Sequence, residues 1–257
     1  MQVWKTFKKY RNLLGELVKK DIKLKYRNSY LGVIWTMLEP LLTMIVLTLV
    51  FSELLGKGTR DFPVYILTGR LLYSFFSNGT KAALKSVRNN AGMIKKVYVP
   101  KYMYPLSSVL SGFLIFLISL VVLAVVATAR GVYPSLRLLW AVIPLLQILL
   151  LTLGTGMILA TLSVFFRDIE YLWGVALMLL MYTCAIFYKA ESVMNGKNGW
   201  IIKYNPLYSV IVNFRNAVFN VKPDFTAMLY ATVVGILSLA VGVFVFYKKQ
   251  DKFILYL

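Results

Sequence analysis

Two ionisable side chains stand inside otherwise apolar runs of this 257-residue chain: Glu39 within residues 31–52 and Arg70 within residues 62–80. Helices through those runs place Glu39 about 13 Å from one membrane edge and Arg70 about 12 Å from the opposite edge. In a hydrocarbon core of about 30 Å the two lie within roughly 5 Å of each other in depth. Charges so deep face a partner or a water-filled cavity. The pair therefore either forms a structural bridge or lines a substrate path. The rest of the chemistry is sparse. Histidine is absent and Cys184 is the single cysteine, which removes the commonest proton shuttle, any intrachain disulfide and any thiolate metal cluster. Gly56-Lys57-Gly58 and Gly196-Lys197-Asn198 lack the glycine spacing and hydroxyl residue of a P-loop. Asp168 and Glu170 lie two apart at a helix start, with Asp168 beside Arg167 as a cap or ion pair, and no carboxylates cluster elsewhere. No catalytic, cofactor or metal site is expected, and the chain is not expected to hydrolyse ATP itself.

The elements that hold these residues are membrane spans. Hydrophobic residues make up 59% of the chain, well above an ordinary soluble domain. Six runs, at 31–52, 62–80, 102–129, 138–166, 171–188 and 225–247, are continuous enough to read as helices of about 20 residues. There are 29 basic and 10 acidic residues, a formal charge of +19. The uncharged runs are too long and apolar for a nucleic-acid binder, so this charge belongs to membrane-facing loops. With the N-terminus inside, inner segments carry 19 basic residues and outer ones nine. That bias predicts a multi-pass protein with both termini cytoplasmic.

Residues 1–28 precede the first span as a separate unit. Tyr10, Leu13, Leu14, Leu17 and Val18 fall on one half of a helix, with Lys19, Lys20 and Lys23 on the other and Arg11 and Lys25 breaking the pattern. The segment reads as an amphipathic helix on the inner surface, beside anionic lipid. Residues 29–257 then form the six-span domain. Its inner loop at 81–101 holds six basic residues and no acid, and two short helices, 82–87 and 93–99, are expected around Asn89, Asn90 and Gly92. It is either a solvated loop or a docking element; its length exceeds what joining two adjacent spans requires. The outer segment 189–224 includes an apolar stretch at 207–219, too short to span, which reads as re-entrant or surface-lying short helices. Aromatic residues at span ends, among them Trp35, Tyr73, Phe76, Tyr182 and Tyr188, form an interfacial belt or face a pore along which sugar rings slide.

Four stretches in this order resemble the membrane subunit of an ABC-2 type polysaccharide exporter, the family of O-antigen and teichoic acid export permeases. They are Lys25-Tyr26-Arg27 with Leu31-Gly32-Val33-Ile34-Trp35 and Pro40; Lys96-Val97-Tyr98-Val99-Pro100-Lys101 with Pro105-Leu106; Phe165-Phe166-Arg167-Asp168-Ile169; and Tyr204-Asn205-Pro206-Leu207. The resemblance covers essentially the whole chain. It implies an all-α integral membrane fold with six transmembrane helices, an N-terminal interface helix and short outer re-entrant helices. It also implies a homodimer in the cytoplasmic membrane of a bacterium, bound to two copies of an ATPase subunit that holds ATP and Mg²⁺. Leu84, Lys85, Val87, Arg88, Met93, Lys95 and Lys96 would then lie on the coupling element. The cargo would be an undecaprenyl-diphosphate-linked polysaccharide, its headgroup arriving at Lys19, Lys20, Lys23, Lys25 and Arg27. An ABC-2 efflux permease for drugs or small lipids, sharing the fold, is the alternative. A membrane-embedded enzyme of lipid-linked sugar metabolism is disfavoured by the missing histidines and clustered carboxylates.

Overall fold

The computed structural model describes residues 2–256 except 28, 56–59, 97–98, 195 and 197–198, with backbone alone at 2–9, 53–55 and 191–192. The helices are α1 (Gln2–Lys25), α2 (Trp35–Leu55), α3 (Phe62–Asn89), α4 (Ala91–Ile94), α5 (Met103–Ala129) and α6 (Val142–Phe165). They continue with α7 (Ile169–Thr183), α8 (Glu191–Met194), α9 (Gly199–Lys203), α10 (Pro206–Val218), α11 (Phe225–Lys249) and α12 (Phe253–Tyr256). Single 3₁₀ turns at Gly32–Ile34 and Leu136–Ala141 lead into α2 and α6. Gly32 has φ +49°, a left-handed conformation that favours glycine, and it turns the chain from α1 into α2.

Four helical stretches, Gly32–Ser52, Met103–Ala129, Leu136–Phe165 and Phe225–Tyr256, are long and apolar enough to cross a membrane. The expected second and fifth spans differ from these. At 28 residues, α3 rises about 42 Å, but it is amphipathic and runs unbroken through residues 82–87. The separate helix expected there is therefore the end of α3, and only α4 follows it. The Val97–Tyr98 part of the second expected loop helix, and Asn195, Lys197 and Asn198 of the outer turn, lie outside the described residues. At 15 residues, α7 rises only about 22 Å.

The centre of the bundle is α3, which packs against α2, α5, α6, α7 and α10. Between α6 and α11 the backbones nearly touch. A Cβ on Gly154 would fall 2.1 Å from Ser238 Oγ, and one on Gly242 would fall 2.5 Å from the Gly154 carbonyl oxygen. Small residues allow this approach where lipid supplies no hydrophobic drive. At the α1 end, Leu14 and Leu17 are buried with Val87, Met103, Tyr104, Phe246 and Phe253. The apolar face of α1 thus covers a cluster at that end of the protein's own bundle. Asp21 accepts from Ser107 (3.4 Å) and Ser108 (3.3 Å) on α5, and burial raises its carboxyl pKa.

At the other end, α7 stops at Thr183 and residues 184–187 continue as buried, non-helical chain. Their carbonyls need partners. Arg215 of α10, 4% exposed, donates to Ala185 O (2.9 Å), Ile186 O (3.3 Å) and Tyr65 O (3.1 Å) and reaches Thr68 Oγ1 at 3.4 Å. Its guanidinium also stacks 3.5 Å from the Tyr65 ring. Tyr65 donates its hydroxyl to Tyr188 O (2.8 Å), and a Cβ on Gly69 would collide with the guanidinium. Asn205 caps α10 by accepting from Leu207 N, ahead of Pro206, and also donates to Thr183 Oγ1. The 13-residue α10 is therefore embedded between α3, α6 and α11 and does not lie on the surface.

Arg215→Met leaves several buried acceptors unpaired and is expected to cost about 3 kcal/mol or more. That corresponds to a fall of about 10 °C in the melting temperature of the purified chain in detergent. Arg215→Lys recovers only part, because an ammonium cannot fork to several carbonyls. An unchanged melting curve for Arg215→Met would sink this role.

Candidate functional site

Along α3 most side chains turn inward, but Arg70, Ser74, Asn78 and Lys81 leave the core on one face, with Arg70 and Ser74 half-buried and Asn78 and Lys81 exposed. Their i, i+4, i+8, i+11 spacing makes a polar stripe on a helix whose other faces are buried. Beside it a cavity of about 240 Å³ opens between α2, α3, α5 and the α1–α2 junction. Glu39 and Trp35 of α2, Arg70, Ser74 and Asn78 of α3, and Lys25 line it.

The wall on the α2 side has a specific origin. Pro40 has no N–H, so the Thr36 carbonyl one turn earlier loses its helical partner. Ser119 of α5 donates to that carbonyl at 3.0 Å. This ties α2 to α5 and leaves Glu39, the residue before Pro40, on the cavity wall.

Glu39 and Arg70 share the cavity but do not bridge. Among the described residues the ion pairs are Lys19–Glu16, Lys85–Glu170 and Arg88–Glu170. The Arg70 guanidinium instead lies 3.9 Å from Met181 Sδ and 6.0 Å from the Tyr73 ring centroid. Of the two roles open to this pair in the sequence, the structure presents two charges lining one cavity from different helices, without the bridge.

Other expected site residues separate into groups. Tyr73 and Phe76 are core: Tyr73 donates to Leu177 O at 2.7 Å, and Phe76 packs 6.1 Å from the Trp173 ring. They turn inward because α3 is central, so neither lines a path. Trp35 and Tyr182 are exposed. Tyr188 is half-buried and donates to Tyr182 O at 2.7 Å, which folds the chain back at the end of α7.

In the 81–101 segment, Leu84 and Val87 are buried, with Ser163 donating to Leu84 O; they hold α3 to α6 and leave no exposed side chain for docking, Leu84 reaching only the edge of a groove beside α7. Lys85 and Arg88 both pair with Glu170 at the start of α7, Arg88 at 2.9 Å. Met93, Lys95 and Lys96 remain exposed around α4. Of the basic residues on α1, Lys25 reaches the cavity, Lys19 pairs with Glu16 and Lys20 donates to Asn90, while Lys23 and Arg27 are exposed. Asp168, expected as a cap or ion-pair partner, makes no side-chain cap and no ion pair among those described. Among the described residues no group of His, Cys, Asp and Glu could hold a metal ion.

Three structural residues had no distinct sequence signal: Glu170, Arg215 and Asp21. The partners of Glu170 and Asp21 lie 82 or more residues away, and those of Arg215 lie 29 to 150 away. Only Arg215 stood out, as the charge interrupting an apolar stretch.

A helical chain with several membrane-crossing helices and a polar stripe through their midst is a membrane-embedded transport chain by fold and site. The particular group follows from comparison: residues 12–219 match the ABC-2 type transporter model, and the chain belongs to that family. It is 33% identical to the O-antigen export system permease protein RfbA of Klebsiella pneumoniae over 94% of this chain and 93% of that protein. It is 27% identical to the protein of the same name from Myxococcus xanthus, over 95% of each. With the polysialic acid transport protein KpsM of Escherichia coli it shares 21% identity over 90% of this chain and 91% of the other.

Glu170 precedes the apolar part of α7, and the hydrogen bond from Lys85, then that from Arg88, holds its carboxyl below the ordinary value of 4.5. A carboxylate with a depressed folded pKa contributes stability that is present above the unfolded value and lost as pH falls through the folded one. Glu170→Gln should therefore melt slightly below wild type at pH 7 and match it at about pH 3, the difference shrinking with added salt. A difference independent of pH would remove the clamp.

Proposed function

We propose that this chain is the permease of an ABC exporter that carries an undecaprenyl-diphosphate-linked polysaccharide across the cytoplasmic membrane. It works as a homodimer with two copies of a separate ATPase, which binds ATP and Mg²⁺. The observation that carries this reading is the stripe Arg70, Ser74, Asn78 and Lys81 on α3 beside the cavity with Glu39. A polar face on a buried membrane helix is stable only against water or a polar solute. Hydroxyl, amide and isolated charged groups suit a hydroxyl-rich chain, because each forms a hydrogen bond that the next sugar can replace. The names of the relatives, which concern O-antigen and polysialic acid, support a glycan over a drug or small lipid.

In this reading both termini are cytoplasmic, α3 and α7 complete the six crossings, and α8 to α10 lie on the outer side. The exposed Met93, Lys95 and Lys96 beside α4 dock on the ATPase. Movement of that loop is transmitted along α3 to the stripe, since the two are continuous. Trp35 and Tyr182 offer apolar faces to sugar rings at the two ends of the path.

Deleting the gene in its host should abolish the surface polysaccharide seen on gels, and the wild-type gene should restore it. Arg70→Ala should lower export about tenfold, equivalent to roughly 1.4 kcal/mol on the limiting step. Because Glu39 and Arg70 do not bridge, exchanging them should not rescue it. Rescue by the exchange would sink the unpaired arrangement, and a deletion strain with normal glycan would sink the export reading. Lys95→Glu with Lys96→Glu should uncouple export from ATP hydrolysis without lowering the amount of chain in the membrane.

A further inference from the structure

A second groove, about 410 Å³ in volume, lies further along α3, where the polar stripe ends at Lys81, between the last turns of α3 and the first turns of α7. It is amphipathic by construction. Lys81 and Lys85 stand on one wall, Glu170 at its head, and Leu84, Val175 and Met178 along its apolar length. Trp173 spends its indole N–H on Thr80 Oγ1 at 3.0 Å, so it presents only its ring. Gly174 has open space where a side chain would begin, and the apolar length is therefore unfilled. Arg88 completes the charged end through Glu170.

Three cations thus meet one carboxylate, which leaves two positive charges uncompensated at the mouth of an apolar trough. The basic patch on α1, formed by Lys19, Lys20, Lys23 and Arg27, has only Leu24 as an apolar wall. It attracts anions but offers little to hold a chain of carbon atoms.

We propose that the α3–α7 groove is the receiving site for an apolar chain ending in a diphosphate, with Lys81 and Lys85 on the phosphate groups and the first apolar units against Leu84, Val175 and Met178. Charge-assisted bonds to two phosphates match the two uncompensated positive charges better than a single phosphodiester does. Binding draws Lys85 from Glu170 and so loosens the inner end of α7. That this ligand is the glycan carrier rests on the export reading above; the site itself does not.

The test uses the full chain in nanodiscs of phosphatidylcholine, titrated with radiolabelled undecaprenyl diphosphate. Lys81→Gln with Lys85→Gln should weaken binding by about tenfold or more. Lys81→Gln alone, at a residue outside the ion pairs described, should weaken it several-fold with an unchanged melting curve. Glu170→Gln should tighten it, since the phosphate no longer competes for Lys85. Lys19→Gln with Lys23→Gln should change it by less than about twofold. Binding that follows the α1 pair and ignores Lys81 and Lys85 overturns the proposal. So does equal displacement by phosphatidylglycerol, which would make the groove an ordinary anionic-lipid contact. A chain that binds as stated but is dispensable for surface glycan keeps the site and loses the export reading. A chain required for glycan whose binding ignores Lys81 and Lys85 does the reverse.

Discussion

Backbone carbonyls that leave a helix inside a membrane protein must find donors within the protein, and directly after α7 one guanidinium serves two of them. Because Arg215 holds Ala185 O, Ile186 O and Tyr65 O, α7 can end after 15 residues and still be followed by buried chain. Three consequences depend on that. The embedded α10 is anchored through its only arginine, α3 is joined to the C-terminal end of α7 through Tyr65 and Thr68, and Gly69 must stay a glycine to leave room. Ala185, at φ 49°, is a left-handed residue without the freedom of glycine, a strained turn that this set of hydrogen bonds over-determines.

The same helix is held quite differently along the rest of its length. Within α7 only Leu177 is buried, so apolar packing contributes little to its position. Its attachments are discrete polar contacts: Tyr73 to Leu177 O, Trp173 to Thr80 Oγ1, and the Glu170 clamp. The C-terminal end is fixed by a buried, multiply bonded arginine, and the N-terminal end by half-exposed ion pairs that water and salt weaken. A helix fixed at one end and lightly clamped at the other pivots more cheaply than it slides. The α6–α11 pair, by contrast, has interlocked glycine backbones and behaves as one rigid wall.

The parts of this fold that were legible in the sequence are those set by local pattern. Long apolar runs gave the helices α2, α5, α6 and α11, and the alternation of Leu14, Leu17 and Val18 with lysines gave α1. Asn205-Pro206 is a cap followed by a first-turn proline, readable at two positions. The misreadings share one cause. Asn89, Asn90 and Gly92 suggested a broken loop from residue 81 onward, but Leu84 and Val87 are covered by α6, and that burial keeps α3 helical as far as Asn89. The cations of the inner loop looked free because their partner, Glu170, is 82 residues beyond Arg88. Depth arithmetic put Glu39 and Arg70 at one level of the membrane, which agrees with their shared cavity; it carries no information about azimuth, which decides whether two charges touch.

That azimuth traces back to Pro40. Without an N–H at that position the Thr36 carbonyl is orphaned, and in hydrocarbon it must be paired. Ser119 pairs it, drawing α2 onto α5, and the contact fixes the rotation of α2 about its axis. Rotated so that Thr36 meets α5, the helix sets Glu39 only about 60° round from Thr36, on the flank beside α3 that lines the cavity. Arg70 meanwhile is drawn toward α7 by Met181 and Tyr73. The two charges are thus held apart by contacts that neither of them makes with the other, and the space between them is the cavity. A serine on α5 and a proline on α2, neither of them charged, keep the only acidic residue of the apolar runs available to a passing solute.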